Sequence, residues 1–197
     1  MHPRSLPITP WLWWPAWVTI NSIAVFVGYL LALNVPSIGQ LAQIQVTDRM
    51  ITTVMALTIG IALALSQWLF VRLHIPRAKV WLLATFLGWI APIALFLAMP
   101  PASQGPQIAS LFALLGVTMG ALQYLVIRPH RPHSWWWVPT SLAGWLLLAI
   151  SLPVPILSGL AFFAIGAVPA LITGIAFVMI ISRKDPIEVR SDTLNAA

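Results

Sequence analysis

The chain has no cysteine, which excludes disulfides, iron–sulfur clusters and thiolate metal sites at once. Charge is almost as scarce. Only 7% of the 197 residues are charged, against about 25% in soluble globular domains. The carboxylates are Asp48, Asp185, Glu188 and Asp192, and none lies inside an apolar run. Proton-coupled carriers use an intramembrane carboxylate as a relay, so a driven transporter of that kind is disfavoured. The same poverty leaves no carboxylate pair, no Ser/His/Asp set, no HExxH and no phosphate-binding glycine loop. Enzymatic chemistry is not expected.

What is present is apolar, 60% of the chain by composition. A spanning helix needs roughly 20 apolar residues, and windows free of Asp, Glu, Lys and Arg occur at about 15–35, 51–71, 80–99, 108–127, 135–152 and 156–181. These predict an all-α integral membrane bundle of six transmembrane helices. A cleaved signal peptide is the competing reading of the first window. Trp11, Trp13, Trp14 and Trp17 at its start, and no clean small-x-small site at its end, favour a retained helix.

The net charge of +6 does not imply nucleic acid, because the ten Lys and Arg sit in short clusters between apolar runs. Lipid headgroups are the matching partner. One side collects Arg4, then Arg72, Arg77 and Lys79, then Arg128 and Arg131, and finally Arg183, Lys184 and Arg190. The other side holds Arg49 alone. Positive charge marks the cytoplasmic face, so both termini are expected there. Residues 100–107 and 152–155 read as tight turns on the far side. Residues 36–49 read as an interfacial helix, an extension of the second span, or a loop.

The chain also repeats itself. The stretch 60–89, GIALALSQWLFVRLHIPRAKVWLLATFLGW, aligns without a gap on 116–145, GVTMGALQYLVIRPHRPHSWWWVPTSLAGW, with identities that include Gln67/Gln123, Arg72/Arg128, His74/His130, Trp81/Trp137 and Trp89/Trp145. Parallel helical-hairpin repeats at about 51–99 and 108–152 follow. A third, permuted unit would join 156–183 to 11–35, matching Arg183 to Arg128, Thr173 to Thr118 and Trp13 to Trp137. The hairpin pattern of Gln67, Trp68, Leu69 and Arg72, then Trp81, Gly88 and Trp89, resembles uncharacterised small polytopic membrane proteins of bacteria, including cyanobacteria and green filamentous phototrophs. Tyr124 departs from it where the second copy would carry tryptophan. The resemblance implies a fold and an inner-membrane location, and nothing catalytic.

Several polar and aromatic residues need partners in hydrocarbon. Gln67 and Gln123 lie roughly 7–8 Å inside the cytoplasmic boundary. Thr85 and Ser141 on the returning helices are the expected partners, one within each hairpin. Asn21 has no evident partner. Trp11, Trp13, Trp14, Trp17, Trp81 and Trp135 to Trp137 are expected in a headgroup belt. Trp89 and Trp145 fall near the midplane, either packed in the core or forming, with Gln67 and Gln123, the wall of a site for an apolar ligand such as a quinone, carotenoid or chlorin. Gly116 with Gly120, Gly60 with Ala56 and Ala64, and Gly166 with Ala170 and Gly174 have the spacing of close helix contacts. The RxHxP turns place Arg72, His74, Arg77, Lys79, Arg128, His130 and Arg131 at lipid headgroups, and a metal signal is weak without acidic partners. No cofactor is specified. A non-enzymatic accessory or assembly subunit, packed against partner helices, lipids or apolar cofactors, is the first expectation. A facilitator or channel for a small neutral or lipid-like solute is the second.

Overall fold

A computed structural model describes residues 10–75, 78–100, 107–131, 134–151 and 159–182, and among them all regular structure is helical. The helices are α1 (Trp13–Ala32), α2 (Val35–Leu41), α3 (Asp48–Val71), α4 (Ala78–Ala98), α5 (Ile108–Ile127), α6 (Trp137–Ser151) and α7 (Gly159–Ser182). Single 3-10 turns, Pro10–Leu12 and Ser134–Trp136, lead into α1 and α6. Among the described residues, five stretches are long and apolar enough to cross a membrane: Trp13–Leu41, Asp48–Val71, Ala78–Ala98, Ala109–Ile127 and Ala161–Ser182. The shorter α6 has 15 residues. At 1.5 Å per residue it covers about 22 Å, less than the roughly 30 Å of a hydrocarbon core.

The long connection after α1 holds the short helix α2 and a turn, and α2 continues the apolar stretch Trp13–Leu41. Pro36 sits in the first turn of the short α2, where a missing N–H costs nothing. Gln43 then takes a left-handed φ of 56° and turns the chain. Thr47 caps α3 by accepting from the Met50 amide at 3.3 Å, and Asp48 meets the positive end of that helix. The expected turns at 100–107 and 152–155 lie outside the described residues, apart from Pro100 and Gln107.

The principal packing contacts run α1 to α3, α3 to α4, α4 to α5, α5 to α6, α6 to α7 and α7 back to α1, a closed ring in chain order. Neighbours are antiparallel: Asn21 meets Gln67 while Gly28 meets Ile59, so numbers rise along α1 as they fall along α3. Glycine makes these contacts close. A Cβ on Gly88 would stand 2.6 Å from Met119 Cα, one on Gly116 2.7 Å from Leu142 Cα, and one on Gly144 2.9 Å from Pro169 Cα. The expected small-residue contacts are therefore present, and they are made within this chain. Pro92 and Pro169 lie inside α4 and α7. Pro92 leaves the Gly88 carbonyl without its helical donor, and the Thr118 hydroxyl supplies one from α5 at 3.0 Å.

Leu and Ile side chains such as Ile23, Leu31, Leu65, Leu83, Leu95, Leu147 and Ile175 cover the outside of the ring. Inside are two apolar clusters. One centres on Trp17, Phe70, Trp81, Trp137 and Phe177, the other on Val25, Leu63, Trp89, Met119, Trp145 and Leu148.

Candidate functional site

Asn21, Gln67, Thr85, Gln123, Ser141 and Thr173 are all buried, and they come from α1, α3, α4, α5, α6 and α7 in turn. An amide in such surroundings must be bonded within the protein or carry a desolvation cost. Here the bonds cross the ring. Gln67 Nε2 donates to Asn21 Oδ1 at 2.6 Å. Gln67 Oε1 accepts from Trp81 Nε1 at 3.2 Å, from the Thr85 hydroxyl at 3.2 Å and from Gln123 Nε2 at 2.9 Å. Gln123 Nε2 also reaches Thr85 Oγ1 at 2.9 Å, and Gln123 Oε1 accepts from Trp137 Nε1 at 2.9 Å. Asn21 Nδ2 returns to the Trp17 carbonyl at 2.8 Å.

The expected bond within the first hairpin, Gln67 to Thr85, is present. The one expected within the second is replaced. Gln123 points across the bundle and takes Gln67 and Thr85 as partners, and a bond to Ser141 is not among its contacts. A two-methylene side-chain stem lets the amide reach the neighbouring hairpin, where Gln67, Thr85 and Trp81 already converge. Asn21, which had no partner from sequence, is the acceptor that ties α1 into this network.

The tryptophans divide differently from the expected belt. Trp11, Trp135 and Trp136 are exposed, and Trp135 stacks on Trp136 at 4.0 Å. Trp17, Trp81 and Trp137 are no more than 1% exposed and face one another edge-on, with centroids 6.5, 6.0 and 5.6 Å apart. Each gives its N–H to the helix beside it: Trp81 to Gln67, Trp137 to Gln123, and Trp17 to Thr173 Oγ1 at 3.1 Å. The buried acceptors, absent from a headgroup belt, draw these indoles inward. Trp17, one turn after Trp13, is thus the residue that joins Trp81 and Trp137. Trp13 packs instead on Phe70 and His74.

Trp89 and Trp145 lie together with centroids 5.7 Å apart. Trp89 Nε1 donates to the Ala56 carbonyl at 2.8 Å, so its N–H is used for packing. Trp145, Gln67 and Gln123 share the lining of a cavity of about 30 Å³ with Asn21, Ser141 and Thr173. Pockets for drug-sized ligands run to about 300–1,000 Å³. This space cannot take a quinone or a tetrapyrrole.

At the arginine-bearing end, Arg72, Lys79 and Arg128 are exposed, while His130 and Arg131 are half-exposed. Arg72 lies over the Trp68 ring at 5.3 Å. Arg77 falls outside the described residues. His74 is half-buried, edge-on to Trp13 at 4.5 Å and to Phe177 at 5.6 Å, with Nδ1 3.3 Å from the Phe70 carbonyl. Burial holds its pKa below the ordinary 6.5, and the carbonyl contact partly opposes that shift. Among the described residues no three of His, Asp and Glu gather as a metal would require.

The residues that sequence reasoning placed poorly, Asn21, Trp17 and Thr173, meet their partners 46 to 156 positions away. A polar residue in an apolar run was the available signal for Asn21, but it carried no direction. Comparison with known proteins gives no match to a family model, a curated protein or a solved structure.

Proposed function

We propose that the chain is a non-enzymatic integral membrane protein, an accessory or assembly subunit that engages partner helices, lipids or apolar cofactors through its outer face. The supporting observation is an interior already occupied by its own contacts. The buried amides bond to one another across the ring, and the glycines receive neighbouring helices of the same chain. What remains for other molecules is the Leu- and Ile-covered exterior. In this reading the membrane is a bacterial cytoplasmic membrane, crossed six times with α6 as the shortest crossing, and both termini are cytoplasmic. The plan is three hairpin units, α3 with α4, α5 with α6, and α7 with α1. Its support is that Trp17, like Trp81 and Trp137, donates to a polar side chain of the adjoining helix, although Trp17 and Thr173 each stand about one turn away from the register positions Trp13 and Val178.

The second reading, a facilitator for a small neutral solute, draws on the polar lining that Gln67, Gln123 and Ser141 give the central cavity. Purification in mild detergent, followed by an absorption spectrum and mass analysis of co-eluting species, separates the two. A subunit brings a stoichiometric polypeptide or pigment with it. Colourless material without a partner would contradict the first reading.

A further inference from the structure

The central cavity has a chemistry of its own. It lies between the two apolar clusters and is closed on the α7 side by Ile165, Gly166, Pro169, Ala170 and Thr173. Ser141 is 2% exposed and Trp145 4% exposed, and both line it. Among the described residues neither the Ser141 hydroxyl nor the Trp145 indole N–H has a hydrogen-bond partner. A buried indole N–H ordinarily finds an acceptor. Pro169 adds the complementary group, because it has no N–H to offer the Ile165 carbonyl one turn earlier. The residues that carry this donor, hydroxyl and carbonyl, Trp145, Ser141 and Ile165, all line a space of about 30 Å³, where each water needs about 10–15 Å³ and two to four polar partners.

We propose that this cavity is a binding site for ordered water, with room for about two molecules. The water accepts from Trp145 Nε1–H and from Ser141, and donates toward the Ile165 carbonyl. The donors on offer select an oxygen acceptor, and the volume of about 30 Å³ excludes anything much larger. The space has an origin in the three-unit plan, and this part rests on the reading proposed above. Gln67 and Gln123 accept from two of the three buried indoles; the third unit carries Val178 at that register, and Trp17 donates instead to the shorter Thr173 one turn away. The water occupies what a third carboxamide would fill.

The test uses the full chain in lipid nanodiscs with ¹⁵N-indole-labelled tryptophan, Trp145 being assigned through Trp145→Phe. Magnetisation transfer from water reaches the Trp145 N–H and not that of Trp89, which is bonded to Ala56 outside the cavity. In Thr173→Gln the added amide accepts from Trp17, fills the space and abolishes the Trp145 transfer. Should that variant fail to fold, Ala170→Met fills the same space with apolar atoms and has the same expected result. No transfer at Trp145, or equal transfer at Trp89, overturns the site. Transfer that survives Thr173→Gln in a folded protein leaves a water site but overturns its three-unit origin.

Discussion

Gln67 carries more of the polar layer than any other side chain, and the reason is its connectivity. Its Oε1 receives Trp81, Thr85 and Gln123, and its Nε2 serves Asn21. Gln67→Leu therefore strands several buried groups at once, whereas Gln123→Leu leaves Trp137 Nε1 as the principal group without a partner. Membrane hydrogen bonds average about 0.6 kcal/mol each, and an unmet buried group costs about 1–3 kcal/mol. We expect Gln67→Leu to lose about 2–3 kcal/mol and Gln123→Leu about 1 kcal/mol, read as thermal midpoints in detergent. The reverse order would contradict the assigned bonds.

His74 gives a second expectation at this scale. Its folded pKa lies below 6.5 because the aromatic box desolvates the imidazolium. As pH falls, the unfolded chain takes up the proton first. Stability should be full above pH 6.5 and decline below it, and His74→Phe should flatten that decline. An unchanged pH profile in the variant would remove His74 as its source.

Between helices, stability rests on backbone approach. Gly88 and Thr118 form one device: the glycine admits Met119 of α5, and its carbonyl, freed by Pro92, takes the Thr118 hydroxyl. Gly88→Ala should push α4 from α5 at a cost of about 1–3 kcal/mol. Leu83→Ala, on the exposed face of the same helix, should stay within about 0.5 kcal/mol. Comparable losses at both positions, measured as midpoints, would argue against tight α4–α5 packing. The small-residue spacing that revealed such contacts was legible in the sequence, as were the helix windows and the Gln67–Thr85 pair. Which face of each helix turns inward was not. In water a polar face marks the outside, but in lipid Leu31 and Leu65 outside are as apolar as Val25 and Leu63 inside. Trp17, Trp81 and Trp137 were misplaced to a belt for that reason: an indole fits a headgroup region and a buried amide equally well, and only the ring closure decides.

For the molecule as a whole, ring closure places a hydrogen-bonded layer between two apolar clusters and leaves a Leu-rich exterior. Such a body suits hydrocarbon because, among the described residues, the helices bond their own backbone and the buried amides bond to one another. The proposed orientation rests on the placement of charge, with Arg72, Lys79 and Arg128 at one end and Arg49 at the other. The natural absence of cysteine makes the most direct measurement straightforward. Single cysteines at Gln45, just before α3, and at Lys79, in the first turn of α4, both exposed, are treated with a membrane-impermeant maleimide in right-side-out bacterial vesicles. The account predicts modification at Gln45→Cys and protection at Lys79→Cys until the membrane is permeabilised. Labelling of both without permeabilisation, or of Lys79→Cys alone, would contradict a bundle that crosses the membrane with its arginine-rich turns inside the cell.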